Sequence, residues 1–434
     1  MFASLCYNVD RGEWNMKRSE RKIQSATNWQ FILGLLCVVF LVASGILLAE
    51  KINDSVKTKP TKTSIVQKKK TSSSPNDVQT ARIMANGDLL YHDLLYMSAL
   101  QSDGTYDFTE NYQYVKPWLK KADLVLGDFE GTIRPNYPLA GYPLFNVPES
   151  VVSAIKDAGY QVVDLAHNHI LDSQLEGVFS TAKAFEQHGI TPIGVYTHEN
   201  RDKSSLVIKK VNGIKIALLA YSYGFNGLEE NISQADYNHH LSDLNEEKMK
   251  KEIKQAEKEA DITVVMPQMG VEYQLEPTQE QKTLYHKMIE WGADIIFGGH
   301  PHVVEPSEVV TQNGQKKFII YSMGNFISNQ RIETMDGVEN KKWTERGVLM
   351  DVTVEKSKKG TIIKEVQAHP SWVSRVAKGT YSPEGYPLYT YQTYILEDFI
   401  EGGKYRNQLD QATKERIDTA YQEMNEHVNL KWDE

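Results

Sequence analysis

Two histidines stand two residues apart in Gly298-Gly299-His300-Pro301-His302, directly after the apolar run 295–297. Glycine lets the backbone turn sharply there, and an extended His-x-His can aim both imidazoles at one point, as a metal or phosphate site requires. A plain turn has no need of two imidazoles at that spacing. A second cluster, Asp164-Leu165-Ala166-His167-Asn168-His169 with Asp172 beyond it, also follows an apolar run. Imidazole and an amide oxygen both serve as metal ligands or as partners of a transition state. Carboxylates come from Asn86-Gly87-Asp88 and Gly127-Asp128-Phe129-Glu130. Either Gly-Asp pair alone suits a turn, because glycine takes unusual φ angles and aspartate bonds its own backbone. Two such pairs at equivalent strand ends point past that reading. Residues 267–273, with Gln268 and Glu272, and residues 321–326, with Asn325, complete the set. Glu272 could act as a base or orient a ligand, and Asn325 could donate to a substrate oxygen, although surface-loop roles suit both. The donors are carboxylate, amide and imidazole with no thiolate, so the implied cofactor is a hard or borderline divalent metal such as Mn, Mg, Zn or Fe, one or two per chain.

Something must bring these clusters together, and their positions say what. Each follows a short apolar run, and the runs 81–85, 124–126, 162–165, 214–220, 262–266, 295–297 and 318–321 read as buried strands. Between them, residues 149–158, 176–188, 244–260 and 279–291 carry apolar residues at helical spacing. The alternation predicts an α/β fold. In open sheets of that class ligands bind beyond the carboxyl ends of the strands, so clusters distant in sequence can meet there.

The formal charge of −9 over 434 residues is uneven: residues 1–78 hold 12 Lys/Arg against 6 Asp/Glu, leaving 36 against 51 for the rest. So acidic a body excludes a general nucleic-acid surface, which needs Lys/Arg to neutralise phosphate. Cys6 and Cys37 both precede the main domain, so no disulfide forms within it. Residues 31–49 are 19 uncharged residues, with Trp29 as an interfacial anchor. That length suits a transmembrane helix and exceeds the apolar core of a cleaved signal peptide. The expected organisation is a short cytoplasmic N-terminus (1–30), a signal anchor (31–49), a Lys/Ser/Thr-rich tether (50–78), a main domain (79–369) and a C-terminal extension (370–434). Lysines and arginines flank the apolar run on both sides, so they do not orient it. An outward-facing body, on a single-pass protein of the cell membrane, follows from the short leader and the long cysteine-free remainder.

The ordered series Gly87-Asp88, Gly127-Asp128-Phe129-Glu130, Ala166-His167-Asn168-His169-Ile170-Leu171-Asp172, Met269-Gly270-Val271-Glu272-Tyr273, His300-Pro301-His302 and Tyr321-Ser322-Met323-Gly324-Asn325-Phe326 resembles the CapA family of capsule and poly-gamma-glutamate synthesis proteins. The resemblance implies a calcineurin-like metallophosphatase fold, a four-layer α/β/β/α sandwich, behind one transmembrane helix. It also implies a part in making, exporting or attaching an anionic capsule polymer, with the polymer or its precursor and membrane-bound synthase subunits as partners. Position by position, it makes Asp128 a bridging carboxylate, Asp88 and His302 ligands of one metal, Asn168 and His300 ligands of the other, and His169 the general acid or an electrostatic partner. Two positions depart from the pattern. Leu90 stands where a histidine is usual, with His92 nearby, and Gln268 occupies the place of another histidine ligand. Two readings follow: a metal-dependent hydrolase or transferase, and a non-catalytic polymer-binding or synthase scaffold with a relict site. The missing imidazoles favour the scaffold; Asp128, Asn168, His169, His300 and His302 favour the enzyme.

Overall fold

A strand covered on both sides must be apolar on both sides, and β1 (Gln79–Leu90) is: Ala81, Ile83 and Ala85 enter one buried cluster, Met84 and Leu89 another. The structure is a computed structural model that describes residues 78–197 and 206–433. The expected anchor at 31–49 lies outside the described residues, as does nearly all of the tether. Among the described residues no helix is long and apolar enough to cross a membrane.

After β1 come α1 (Asp93–Ala99), β2 (Leu124–Glu130), α2 (Ser150–Ala158), β3 (Val162–Asp164), α3 (Gln174–Gln187) and β4 (Thr191–Ile193). The four strands run parallel in the order β1-β2-β3-β4. Val151, Val152 and Ile155 of α2, with Val178, Ala182 and Phe185 of α3, pack on Val125, Phe129 and Val163 on one side of this sheet.

The second sheet takes the order β5-β6-β7-β8-β10-β9, from β5 (Val207–Val211), β6 (Ile214–Ser222), β7 (Ile262–Gln268), β8 (Ile295–Phe297), β9 (Ser307–Gln312) and β10 (Gln315–Ile320). Its helices are α4 (Gln234–His240), α5 (Glu246–Glu259) and α6 (Gln279–Trp291). A capping box starts α6: the Thr278 hydroxyl accepts from the Gln281 N–H at 3.1 Å, and Gln281 Oε1 accepts from the Thr278 N–H at 2.7 Å. Met249 and Ile253 of α5 and Leu284, Tyr285 and Met288 of α6 cover Leu219, Val265 and Ile296. The opposite faces of the two sheets bury each other, Ile83 and Leu126 with Ile216, Leu218, Val264, Phe297 and Ile320. Each such side chain contributes about 1.5–3 kcal/mol by leaving water. Helices therefore lie outside both sheets, and the sheets pack on each other.

The last strands complete the first sheet: β11 (Asn325–Ile327) pairs parallel to β1, and β12 (Arg346–Ser357), β13 (Gly360–Tyr381) and β14 (Pro387–Ile395) extend it antiparallel. A domain boundary at 369 would cut β13 in mid-strand. The chain beyond it is built into the fold, because α7 (Gln411–Val428) lays Met424 and Val428, with Trp432 after them, into the core between the sheets. Short apolar stretches among many Tyr, Glu and Lys residues hid that helix in the sequence.

Candidate functional site

Register sets the centre of the site. Asp88 lies opposite Asp128, Asp128 opposite Asp164, and Asn325 opposite Asp88. Neighbours in register share a face of the sheet, so three carboxylates form a row across the carboxyl ends of β1, β2 and β3. Leu90 lies opposite Glu130, two residues beyond Asp128, and i, i+2 residues of a strand also share a face. Glu130 therefore joins the row. All four carboxylates are buried. The loop after β8 brings His302 over them, with Nδ1 2.8 Å from Asp88 Oδ2 and 3.7 Å from Glu130 Oε2. Asp88, Glu130 and His302 each offer a ligand atom, all within 4.8 Å of one another.

The electrostatics follow from burying so many acids together. Burial, and then Asp164, Asp88 and Glu130, push the Asp128 carboxyl well above its ordinary range. Burial does the same to Asp164 and raises Glu130 to about 7, with His302 opposing. Burial works against charge on His302, but Glu130 and the hydrogen bond to Asp88 outweigh it and lift the imidazole to about 10. His300 goes the other way, down to about 3, through burial and the nearby His302 and His169. Several buried lone-pair atoms have no hydrogen-bond partner: Asp88 Oδ1, Asp128 Oδ1, both Glu130 oxygens, Asn168 Oδ1 and His300 Nδ1. Buried polar atoms are ordinarily paired. These share one chemistry, a lone pair turned inward, and the set of carboxylate, amide oxygen and imidazole fits a hard or borderline divalent cation.

Backbone geometry sharpens the site. His300 and His302 have φ of 97° and 58°, so the His-Pro-His segment is not extended as its spacing suggested. It turns through the left-handed region at both histidines, at a cost on the order of 1–3 kcal/mol each. Hydrogen bonds hold the turn: Gly298 N–H to the Ile320 carbonyl at 2.9 Å, and Tyr273 N–H to the Pro301 carbonyl at 2.8 Å. The two rings end 6.1 Å apart. Gly299 is needed because a Cβ there would sit 2.7 Å from Asp128 Oδ2 and 3.6 Å from Asp88 Oδ1.

On the other side, His169 Nδ1 meets Asp172 Oδ2 at 2.7 Å, and the Phe145 ring lies edge-on 4.8 Å away. Burial opposes protonation of His169, but the Asp172 hydrogen bond and Glu130 outweigh it and raise the ring above its ordinary value. Asn168 donates its backbone N–H to Gln268 Oε1 at 3.1 Å and its Nδ2 to Asn226 Oδ1 at 3.3 Å, which leaves Oδ1 inward. His300 packs against Tyr223 with ring centroids 4.5 Å apart. His92 lies near Phe145 at 5.3 Å, accepts from the Asn329 N–H at 3.3 Å, and is held down to about 3 by burial and then His302.

Asp88, Asp128, Asn168, His169, Gln268, His300 and His302 are thus brought to one place, and three expectations change. Gln268 does not offer its oxygen as a ligand, because Oε1 already accepts from Asn168, and its amide nitrogen is buried without a hydrogen-bond partner beside Asp128. Asn325 does not face substrate: its Nδ2 is committed to the His302 carbonyl at 3.2 Å, Gln330 Oε1 at 2.9 Å and the Thr344 carbonyl at 2.7 Å, so it holds the histidine turn. Glu272 is exposed, in the loop that carries Tyr273, so it acts from the rim of the site, as one of the charges that raise Glu130 and His302. Glu130 and Asp164 were visible as acids at strand ends but were given no part; strand alternation from Asp128 to Glu130 was the signal.

The profile of the family described as "Bacterial capsule synthesis protein PGA_cap" matches residues 82–330. The chain is 34% identical over 229 residues to "Capsule biosynthesis protein CapA" of Bacillus anthracis, covering 50% of this chain and 54% of that protein. It is 34% identical over 228 residues to "PGA biosynthesis protein CapA" of Bacillus subtilis strain 168, covering 50% and 57%. The chain thus spans little more than half the length of these relatives. Similar solved structures include a "novel phosphatase" of Mycoplasma pneumoniae (TM-score 0.42, 13% identity, 68% of this chain and 94% of that one). Another is the calcineurin-like phosphoesterase YfkN of Bacillus subtilis (TM-score 0.40, 14% identity, 68% and 91%).

Proposed function

Since this chain belongs to the PGA_cap family of bacterial capsule synthesis proteins, we propose that it serves the biosynthesis of an anionic capsule polymer such as poly-gamma-glutamate, as a metal-dependent hydrolase or transferase on the calcineurin-like metallophosphatase plan. The observation that carries this reading is the set of buried, unpartnered lone pairs on Asp88, Asp128, Glu130, Asn168 and His300. A bound divalent cation supplies a Lewis acid and a water of lowered pKa, suited to attack on a carbonyl or phosphorus. Asp88, Glu130 and His302 would hold it, with Asp128 alongside. His169, fixed by Asp172 and shielded by Phe145, is placed to hold a proton for a leaving group. Asn325 keeps the His302 turn in place from behind.

The same reading anchors the protein in the cell membrane through residues 31–49, with the body outside, where an envelope polymer or its precursor and membrane-bound synthase subunits would meet it. Leu90 and the inward donor of Gln268 favour a second reading, a polymer-binding scaffold with a relict site. Asp128→Asn separates the two. The enzyme reading expects this variant to lose polymer production in cells while the metal-free protein melts no lower than wild type, since it removes one of several crowded acids. A stable variant with ordinary polymer output would leave only the scaffold.

A further inference from the structure

We infer that this chain holds a single divalent cation, at Asp88, Glu130 and His302, and that Gln268 closes the neighbouring position instead of binding there. The inference rests on reading the cluster as a cation site and adds how many ions it takes and through which atoms.

The orientation of Gln268 is fixed by a donor that cannot reverse. The Asn168 backbone N–H can only donate, so the Gln268 atom 3.1 Å from it is the carbonyl oxygen. The amide nitrogen is then the other terminal atom; it is buried without a hydrogen-bond partner, and the Gln268 side chain lies beside the Asp128 carboxylate. The packing agrees: the point 2.7 Å from Asp128 Oδ2 where a Gly299 Cβ would lie is 3.7 Å from Gln268 Cγ. Gln268 is fully buried, and flipping its amide would face the Asn168 N–H with another donor. Its N–H groups carry positive partial charge into the space where a second cation would need a lone pair. Asn168 Oδ1 and His300 Nδ1 stay open beside it, so Gln268 is the group that closes the position.

Beside Asp88 the opposite holds. Leu90 offers no ligand, but Glu130 sits in register opposite it on β2, buried, with both oxygens unpaired and Oε2 3.7 Å from His302 Nδ1. A carboxylate from the next strand thus stands in for an imidazole on the same one. Two carboxylates and one imidazole form an oxygen-rich set that suits manganese or magnesium better than a softer site would.

The test is titration of chelator-stripped full-length protein, purified in detergent, with Mn2+ by calorimetry, followed by electron paramagnetic resonance of the loaded sample. Wild type should take up one ion per chain and show the hyperfine pattern of an isolated ion. Glu130→Gln should weaken that binding by about tenfold or more, and Gln268→His should admit a second ion and give the spin-coupled pattern of a pair. If metal-free Glu130→Gln fails to fold, Glu130→Asp, which keeps the charge but withdraws the oxygens, should weaken binding in the same way. Two tightly held ions in wild type, or unchanged affinity in the folded Glu130 variant, overturns the inference while leaving a cation site in place. No binding by wild type overturns both the inference and the reading beneath it.

Discussion

A methyl group added at either of two glycines probes whether the site and the fold are separable at the scale of one residue. At Gly299 the new Cβ would meet Asp128 Oδ2 at 2.7 Å, the end of a side chain, and the histidine turn could give a little. At Gly87 it would lie 1.9 Å from the Gly324 carbonyl oxygen, where β1 runs against β11 and both partners are backbone. Gly299→Ala should therefore weaken Mn2+ binding by about tenfold and lower stability by less than about 1.5 kcal/mol. Gly87→Ala should cost about 3 kcal/mol or more through forced overpacking. Calorimetric metal titration and denaturant unfolding of both variants check this, and equal losses of stability would show that the Gly299 turn is part of the fold's core. The sequence made both glycines visible as turn formers at strand ends. It could not show that one faces a carboxylate and the other a main-chain oxygen, since each partner comes from a distant segment.

Strands near the site were legible because their apolar runs are buried on both faces, and helices because they bury one apolar stripe; α6 matched its predicted span at both ends through its capping box and Gly292. The later strands were less so: β13 has no regular alternation, with the consecutive Lys364 and Glu365 both exposed, and its partners β12 and β14 are set by pairing that no local pattern encodes. One cluster locks this part of the sheet. His369 of β13 contacts Glu397 at 2.9 Å and Asp351 of β12 at 3.6 Å, and Asp351 also binds Arg82 of β1. Burial disfavours charge on His369, but the nearby Asp351 carboxylate and the hydrogen bond to Glu397 prevail and raise it to about 9. A group whose pKa is raised on folding stabilises fully below its unfolded value, near 6.5, and loses that contribution as pH rises through the folded value. The wild type should thus lose about 1–2 kcal/mol between roughly pH 7 and pH 9.5, after allowance for partial exposure. His369→Asn should lack that component of the decline, while Arg82 keeps Asp351 paired. Parallel pH profiles for the two proteins in chemical denaturation would remove His369 as the cause.

At the scale of the whole molecule, the function proposed above makes charge the factor that would set how an anionic polymer reaches the site. Residues 79–434 carry 36 Lys/Arg against 51 Asp/Glu, and the charged groups that act on the buried cluster are its own acids and histidines and the exposed Glu272. A body of that sign repels a polyanion at long range, so capture depends on short-range contacts and on the positive charge a bound cation adds. Salt screens the repulsion, with a Debye length of about 10 Å at 0.1 M, more effectively than it weakens contacts in a recessed site. Binding of poly-gamma-glutamate fragments to the Mn2+-loaded protein should therefore strengthen several-fold as ionic strength rises from roughly 20 to 200 mM. A chelator should weaken it at every salt concentration. Fluorescence anisotropy with an end-labelled oligomer reads both effects. A steep fall in affinity with salt would instead mean that a basic surface takes the polymer, with the lysines of residues 51–70 the first segment to test by neutralisation.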